Sequence, residues 1–311
     1  MPEVIKYDSS LKKEWNLFVG SSRNGTFLFN RDYMDYHSDR FDDYSLVVYE
    51  KGKIMAILPG NISGSEFYSH QGLTYGGLVL PVNIGTSRIL DIFHYINDFL
   101  RIREIKTVNY KPVPYIYHHI PSQEDLYALF RLGATRTGCH ISSTIRRGNS
   151  PGFTESRLGG IRKSRKMSMT IREEDDFSGF WRVLTENLMQ NHQTHPVHKL
   201  DEINLLKSRF PSNIRLHTVR LDNEVIAGTV IYCNRNVAHV QYISASETGK
   251  KAGALDLLFN DLIYNFYTDF EYFDFGVSTE KMGLQLNEKL VFQKEGFGGR
   301  GVVYEIYKYN L

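Results

Sequence analysis

The sequence predicts an α/β protein with mixed sheets, and three observations lead to this prediction. Short apolar runs bounded by turn residues alternate with segments whose apolar residues recur at helical spacing. The aromatic content of 13%, mostly Tyr and Phe, is typical of strand-rich architecture, because rings pack well on pleated surfaces. Each half of the 311-residue chain also shows hairpin strands followed by helix, strand, helix and strand.

The N-terminal half is predicted to begin with a helix over "LKKEWNLFVGSS", for which Ser9 or Ser10 is the expected N-cap. "YSLVVYEKGKIMAILPGNI" predicts a hairpin around a Lys-Gly turn, and "EFYSHQGLTYGGLVL" predicts an extended segment. The segments 85–104 and 122–133 show helical spacing, and "CHISSTIRR" predicts the last strand of this half.

The C-terminal half repeats this order of elements. Helices are predicted over 177–193 and 201–211, and the segment 214–246 predicts three antiparallel strands joined by Asp-Asn and Asn-Arg-Asn turns. A helix over 252–269, the strand "EYFDFG", a further helix and the strand "VVYEIYKY" complete the half. The Gly, Pro and Ser residues of 147–156 predict a boundary, giving domains at 1–150 and 151–311.

Composition and charge narrow the functional classes. The net charge of +2 gives no global field that would attract DNA or a membrane surface. Cys139 and Cys233 lack metal-ligand spacing, which favours a reduced, cytoplasmic chain. No apolar run approaches the roughly 20 residues that span a bilayer, and the N-terminus lacks the apolar core of a secretory signal. We therefore expect a cytoplasmic protein without a transmembrane segment, and the sequence leaves its oligomeric state open.

The tripeptide Asp274-Phe275-Gly276 is the one that holds magnesium in protein kinases. A kinase also needs a glycine-rich loop over the phosphates, a strand lysine and an HRD-type catalytic loop. The sequence contains no G-x-G-x-x-G and no HRD motif, so phosphotransfer is a poor explanation. Asp274 is instead expected at a strand end, where it caps the following turn or orients a ligand.

The segment before this tripeptide predicts a phosphate-binding loop. In "HVQYISASETGKKAGALDLLFNDL" a strand leads through glycines and lysines into a helix, whose N-terminal N–H groups and dipole favour a phosphate. The glycines permit close backbone approach, and the lysines add positive charge. The candidate cofactor-binding residues from this pattern are Gly249, Lys250, Lys251 and Gly253.

This order of elements resembles that of the GNAT acyltransferases. "FDFG…GL…K…FG" after "YISAS", together with "FLFNRDYMDYH", "AILPGN" and "SHQGLTYGG", resembles the Fem-type (FemAB-like) peptidoglycan-bridge transferases. The resemblance implies two tandem GNAT-like domains that form one acyltransferase, with the acyl-donor site in the C-terminal domain. It also implies acetyl-CoA or another acyl-CoA as co-substrate, and a small-molecule amine, an amino sugar or a cell-envelope precursor as acceptor.

Two alternatives remain open. Fem-type enzymes take their acyl group from aminoacyl-tRNA, and "GKKAGA" departs from the usual GNAT loop of Gln/Arg-x-x-Gly-x-Gly/Ala. Transfer RNA is therefore the alternative donor. The second alternative is a catalytically silent GNAT-like binding module, because no catalytic base is unmistakable in the sequence.

The resemblance further implies that the strand from Gln241 to Ser246 is splayed, which would expose N–H groups to a thioester carbonyl. It thereby adds Ser244, Ala245, Ser246 and Ala254 to the candidate cofactor-binding residues. Tyr242 is a candidate acid for the leaving thiolate, and Gln241 and Asp274 are candidate substrate contacts. An ordinary sheet strand is the alternative interpretation of this segment.

Histidines provide further candidates. His192 and His195 belong to "HQTHPVH", in which Pro196 and the lack of a cysteine or carboxylate argue against a metal site, so we expect no metal. Either imidazole can take a proton from an amine, and both are therefore candidate catalytic residues. His70 and Tyr75 lie among glycines that permit close ligand approach, so they are candidate substrate contacts; a bulged, turn-rich strand explains the same pattern.

Overall fold

The computed structural model describes residues 2–311, apart from the side chain of His192. The strands are β1 (Glu3–Lys6), β2 (Asp42–Asp43), β3 (Leu46–Glu50), β4 (Lys53–Leu58), β5 (Asn61–Ser63), β6 (Glu66–Tyr68), β7 (Thr107–Tyr110), β8 (Thr135–Arg146), β9 (Met169–Glu174), β10 (Ile214–Leu221), β11 (Glu224–Cys233), β12 (Val237–Ala245), β13 (Tyr272–Val277), β14 (Thr279–Glu280), β15 (Gln285–Leu286) and β16 (Arg300–Asn310). The α-helices are α1 (Lys12–Ser21), α2 (Arg31–Met34), α3 (Thr86–Ile102), α4 (Glu124–Arg131), α5 (Glu155–Ser164), α6 (Ser178–His192), α7 (Leu200–Arg209), α8 (Glu247–Ala252), α9 (Ala254–Asp261) and α10 (Glu288–Gly296). None of these helices has the length and apolar character needed to cross a bilayer.

Residue contacts divide the chain into two units. Unit 1 comprises the chain up to Ile141 together with Thr279–Gln285 and Val303–Leu311, and unit 2 comprises Ser142–Ser278 and Leu286–Val302. This division differs from the domains 1–150 and 151–311 mainly because the C-terminal residues belong to unit 1. There β16 pairs antiparallel with β7, with Tyr307 opposite Tyr110. The sequence-based domain limits stay a prediction.

Unit 1 contains two sets of strands. Strands β1, β3 and β4 form an antiparallel sheet, and β2, β5, β6, β7 and β16 are neighbours in that order in the other. Strands β6 and β7 are parallel, and the crossover between them contains α3. The apolar face predicted for α3 is buried in the core, at Ile89, Ile92, Phe93, Ile96 and Leu100.

Unit 2 has the strand order β8-β13-β12-β11-β10-β9. The pair β12–β13 is parallel and the other pairs are antiparallel. Asp222 and Asn223, between β10 and β11, both have positive φ, as a tight hairpin turn requires. One face of this sheet packs on α9 through residues such as Val240, Leu258 and Phe275. The predicted α/β class with mixed sheets is confirmed.

Two local predictions are wrong. Asp8, rather than Ser9 or Ser10, caps the first helical turn, because its carboxylate accepts from the Ser10 N–H at 2.8 Å. The segment predicted as an open phosphate-binding loop forms the short helix α8, because the Ser246 hydroxyl accepts from the Gly249 N–H at 3.1 Å and so caps it. Gly253, at φ 72°, then separates α8 from α9.

Candidate active site

Strands β12 and β13 diverge after a short parallel ladder. The ladder pairs Val237 with Tyr272, Ala238 with Phe273 and His239 with Asp274. Beyond His239, β12 continues to Ala245 and keeps its antiparallel pairing with β11. Residues 240–245 therefore have a ladder on one edge, whereas the parallel ladder on the edge towards β13 has ended. Backbone N–H and C=O groups on that edge are available to an extended ligand.

A β-bulge determines which side chains of β12 share a face. Val230 pairs with Tyr242, whereas the next residue, Ile231, pairs with Val240, so Gln241 is the additional residue. Successive side chains of a strand point to opposite faces, and an inserted residue shifts this alternation by one. His239 and Tyr242 consequently lie on the same face of the sheet, and the half-buried Gln241 is the residue at which the alternation changes.

His239 and Asp274 form a hydrogen-bonded pair where the strands diverge. The Asp274 carboxylate is fully buried and accepts from His239 Nδ1 at 2.7 Å. It also accepts from the hydroxyls of Ser142 and of Thr144, the latter at 2.7 Å. Burial alone would raise the pKa of Asp274, but the hydrogen bond and charge of His239 and the two hydroxyls outweigh it and lower that pKa.

The accessibility of this pair is one-sided. The Asp274 side chain has no exposed surface, whereas 12% of the His239 side chain is exposed. Asp274, predicted as a substrate contact, can therefore act on a ligand only through His239. Its carboxylate also accepts from the Gly276 N–H at 3.3 Å, so the predicted capping of the turn is present as well.

Lys294 forms hydrogen bonds with the last carbonyl groups of β13. Its ammonium donates to the carbonyls of Gly276 and Val277, each at 2.8 Å. Burial lowers the pKa of Lys294 to about 8, against the opposing charge of Asp274. The residue is only 7% exposed, which is unusual for a lysine. The adjacent Ser278 hydroxyl is buried without a hydrogen-bond partner among the described residues, which is typical of a place for water or ligand.

Tyr242 is held by two side chains of unit 2. Its hydroxyl forms a hydrogen bond with Nδ1 of His198, and it also accepts from the His198 N–H at 3.3 Å. Its ring makes an edge-on contact with that of Trp181, at a centroid distance of 5.1 Å. His195 is exposed, and the side chain of His192 lies outside the described residues. The structure thus joins Tyr242 to the third histidine of "HQTHPVH", and the roles predicted for His192 and His195 stay predictions.

The residues predicted to bind the cofactor differ in exposure, and two of them, Ser246 and Gly253, are half-buried. Ser244, Ala245, Gly249 and Ala254 are buried packing residues. Lys250 and Lys251 are exposed on α8, where Lys250 pairs with Glu247 at 2.7 Å. A Cβ at Gly249 would lie 2.2 Å from the Ile226 carbonyl, so this glycine is required for packing of α8 on β11. Their roles in ligand binding stay predictions.

A pocket of about 660 Å³ adjoins the start of α8, next to Ser246 and Thr248. Its charged lining residues are Arg182, Glu186, Asp222 and Glu224. With one cation against three carboxylates, this pocket disfavours a diphosphate. Any phosphates of a donor are better accommodated by the exposed lysines of α8 than by this pocket.

The candidate substrate residues of unit 1 are buried. His70 is 3% exposed, with φ 66°, and its Nδ1 accepts from the Gly72 N–H at 3.2 Å. Burial lowers the pKa of His70 to about 3, so the ring is neutral. Tyr75 is 2% exposed and donates to the Thr26 hydroxyl at 3.2 Å. Both side chains serve the packing of unit 1, and contact with a substrate stays a prediction for them.

Within the described part of the chain, no group of three His, Cys, Asp or Glu side chains is arranged to hold a metal ion.

The sequence analysis did not predict His239, Ser142 and Thr144 as site residues. One signal for His239 was present, namely a histidine in the otherwise mostly apolar strand "VAHVQYIS". Its pairing with Asp274 depends on the register of a parallel ladder, which the sequence does not show.

Comparison with known proteins defines the class. Residues 156–282, which lie within unit 2, match the family model described as an acetyltransferase (GNAT) domain. This segment is therefore a GNAT-type domain, as the sequence motifs predicted. No curated protein sequence matches the chain.

Solved structures extend the likeness to the whole chain. The structure of FemX has a TM-score of 0.69 at 10% identity, covering 99% of this chain and 97% of that chain. The C-terminal domain of a protein described as a lysylphosphatidylglycerol synthetase from Agrobacterium fabrum scores 0.62 at 12% identity, covering 97% and 92%. L-PGS from Bacillus licheniformis scores 0.58 at 12% identity, covering 98% and 92%. At these identities the likeness establishes the fold, and the resemblance to Fem-type proteins is confirmed at that level.

Proposed function

We propose that this protein is an N-acyltransferase that moves an acyl group, preferentially acetyl, from acyl-coenzyme A to a primary amine. The observation that supports the proposal is the divergence of β12 from β13 after His239. An extended pantetheine arm can add to the free edge of residues 240–245 as a further strand does. N–H groups on that edge can stabilise the oxyanion that forms when an amine attacks the thioester.

Residues of this chain have distinct roles in the proposed reaction. Tyr242 lies on the β12 face that His239 shares, three residues beyond the last parallel pair, and is the proposed acid for the departing thiolate. Its hydrogen bond with His198 fixes the hydroxyl. Lys250 and Lys251 are the proposed phosphate contacts, because they are exposed on the helix that follows β12. The acceptor is proposed to be a small amine, an amino sugar or a cell-envelope precursor, and a cytoplasmic location stays a prediction.

Titration of the purified protein with acetyl-coenzyme A tests this proposal. The variant Lys250→Glu/Lys251→Glu is expected to weaken binding at least 10-fold, since two attractive contacts with phosphate become repulsive. The matched control Lys51→Glu/Lys53→Glu makes the same change of charge on an exposed turn of unit 1 and is expected to leave binding unchanged. The absence of binding at millimolar acetyl-coenzyme A would overturn the proposal.

A Fem-type transfer from aminoacyl-tRNA is the second candidate, and the likeness to FemX over nearly the whole chain favours it. The acidic pocket beside α8 also argues against a diphosphate at that particular place. Incubation with a charged tRNA and candidate amines separates the two candidates. Transfer from tRNA that declines steeply with added salt, without thiol release from acyl-coenzyme A, would favour the second candidate.

A further inference from the structure

Three observations in unit 2 bear on proton transfer by the His239–Asp274 pair. The pair lies at the last rung of the parallel ladder, where the edge proposed to bind the acyl donor begins. Its carboxylate is inaccessible, whereas 12% of the His239 side chain is exposed, so a ligand can touch only the imidazole of the pair. The unsatisfied hydroxyl of Ser278 lies at the end of the same β13 segment, so a further polar atom is needed near this point.

The hydrogen bonds of Asp274 determine the tautomer of His239. The carboxylate already accepts from the hydroxyls of Ser142 and Thr144, and an ionised carboxylate only accepts hydrogen bonds. Nδ1 of His239 must therefore carry a proton and donate it to Asp274. In the neutral imidazole the lone pair is then on Nε2, the nitrogen that a base uses.

The backbone around the pair keeps this ring in place. Gly276 adopts φ 74°, and a Cβ at this position would approach His239 Cε1 to 3.2 Å. The charged and titratable groups that act on one another here come from three elements: His239 from β12, Asp274 from β13 and Lys294 from α10. Lys294 interacts electrostatically with Asp274 and donates to the β13 carbonyls. It thereby stabilises the strand end that carries Asp274, the hydrogen-bond acceptor of the imidazole.

We propose that His239, oriented by Asp274, is the general base that removes the proton from the attacking amine, with Ser142 and Thr144 as positioning residues for Asp274. In this step the neutral amine of the acceptor attacks and transfers one proton to Nε2 as the new bond forms. The nitrogen lone pair forms the new bond to the acyl carbon, and the thiolate leaves with the electron pair of the carbon–sulfur bond. The inference rests on the proposed acyl transfer.

Steady-state transfer from acetyl-coenzyme A to a primary amine, measured against pH, tests the base. His239→Gln preserves a side-chain donor towards Asp274 but lacks a basic nitrogen. It is expected to lower kcat by about 10²- to 10⁴-fold, to leave acetyl-coenzyme A affinity unchanged and to abolish the acid limb of the pH profile. Hydroxylamine, a weakly basic nucleophile that is already deprotonated at neutral pH, is expected to reduce this deficit at least 10-fold.

The chain contains a matched control in its exposed His94–Asp98 pair, whose side chains are 71% and 46% exposed. His94→Gln is expected to leave kcat and the pH profile unchanged. If His239→Gln keeps kcat within threefold of the wild type and retains the acid limb, His239 is not the base. A uniform loss with amines and hydroxylamine alike, with the acid limb retained, would equally overturn the inference and indicate a structural role.

A nitrogen-15 spectrum of the imidazoles tests the pair without any turnover. The Nδ1–H tautomer is expected for His239 in the wild type at neutral pH, and its loss is expected in Asp274→Asn. An Nε2–H tautomer in the wild type would overturn the inference whatever the substrate. Absence of acetyl-coenzyme A turnover in a protein with the expected tautomer would count against the proposed function and against base catalysis in that reaction, while the geometry of the pair would stand.

Discussion

Each unit contains a short parallel ladder of two strands, and the chain that follows the first strand takes a different path in each unit. In unit 1 β6 and β7 pair in parallel at Glu66–Tyr68 with Thr107–Asn109, and in unit 2 β12 and β13 pair over three residues in the same way. In unit 1 the chain after β6 folds back and pairs with the end of β7 and the residue beyond it. The Ser69 N–H donates to the Asn109 carbonyl and the Gly76 N–H donates to the Lys111 carbonyl, each at 2.9 Å. In unit 2 β12 continues through its bulge to Ala245 along β11, and its ladder with β13 ends at His239.

The rung at which the paths separate also differs. Unit 1 has Tyr68 opposite Asn109, and both side chains bind Glu66. Unit 2 has His239 opposite Asp274, hydrogen-bonded to each other at 2.7 Å. Under the proposed function, this supersecondary element serves packing in unit 1, where the following chain pairs with it, and binds the acyl donor in unit 2, where its ladder ends at His239. The following variants test this interpretation, beginning with the largest expected effect.

Removal of the buried carboxylate is expected to have the largest effect. Asp274→Ala leaves the hydroxyls of Ser142 and Thr144 and the imidazole of His239 without their acceptor. The free energy of unfolding is expected to fall by about 4 kcal/mol, since breaking a buried charged network leaves uncompensated polar groups. Urea-induced unfolding measures the loss. Asn109→Ala, at the equivalent rung of unit 1, is expected to cost about 1 kcal/mol; equal losses would refute the difference between the two rungs.

Removal of the proposed acid is expected to affect rate rather than stability. Tyr242→Phe keeps the ring against Trp181 and removes the hydroxyl, so kcat for thiol release is expected to fall by about 100-fold. The midpoint of thermal unfolding is expected to change little. Tyr68→Phe removes a hydroxyl in unit 1 and serves as the control with unchanged kcat. A Tyr242→Phe enzyme with the wild-type rate would show that the thiolate leaves without this acid.

A methyl group at Gly276 tests the close approach of the backbone to His239. Gly276→Ala places a Cβ at positive φ and 3.2 Å from the imidazole, and a cost of about 2 kcal/mol is expected. Gly52→Ala has nearly the same φ, 73°, in open space, so it reports the backbone strain alone, about 1 kcal/mol. Calorimetric unfolding measures both variants. Identical costs would mean that the imidazole moves freely out of the way.

The smallest effect concerns Lys111, a half-buried lysine of unit 1. Burial lowers the pKa of Lys111 to about 8 from its ordinary 10.5, while its ammonium donates to the Leu73 carbonyl at 2.5 Å. Below pH 8 the folded state bears the full cost of the buried charge. As the pH rises from 8 towards 10.5, the folded state releases the proton before the unfolded state does, so stability rises.

Lys111→Met has no such titration and is the matched reference. Between pH 7.5 and 9 the wild type is expected to gain about 1 kcal/mol relative to Lys111→Met. Urea unfolding at a series of pH values measures the difference. A wild type that loses stability relative to the variant over this range would show that Lys111 is stabilised in its charged form.

The sequence predicted most of the local structure of unit 2, because the signals were local. Asp222 and Asn223 are residues that tolerate positive φ, and they form the turn expected of them. The spacing of apolar residues predicted α3 of unit 1 in the same way, and the order of elements indicated the GNAT fold. The burial of Lys294 could not be predicted, because it depends on carbonyls 17 and 18 residues earlier in the chain. The bond between His239 and Asp274 spans 35 residues and depends on strand register, for which the sequence contains no local signal.

Hydrogen exchange in the presence of acetyl-coenzyme A is the measurement that tests the open edge of β12 most directly. Amides within residues 240–245 are expected to exchange more slowly when the ligand is bound, whereas those of residues 69–77 in unit 1 are expected to be unaffected. Protection confined to other segments, or none at millimolar acetyl-coenzyme A, would contradict the account of β12 as the acyl-donor site.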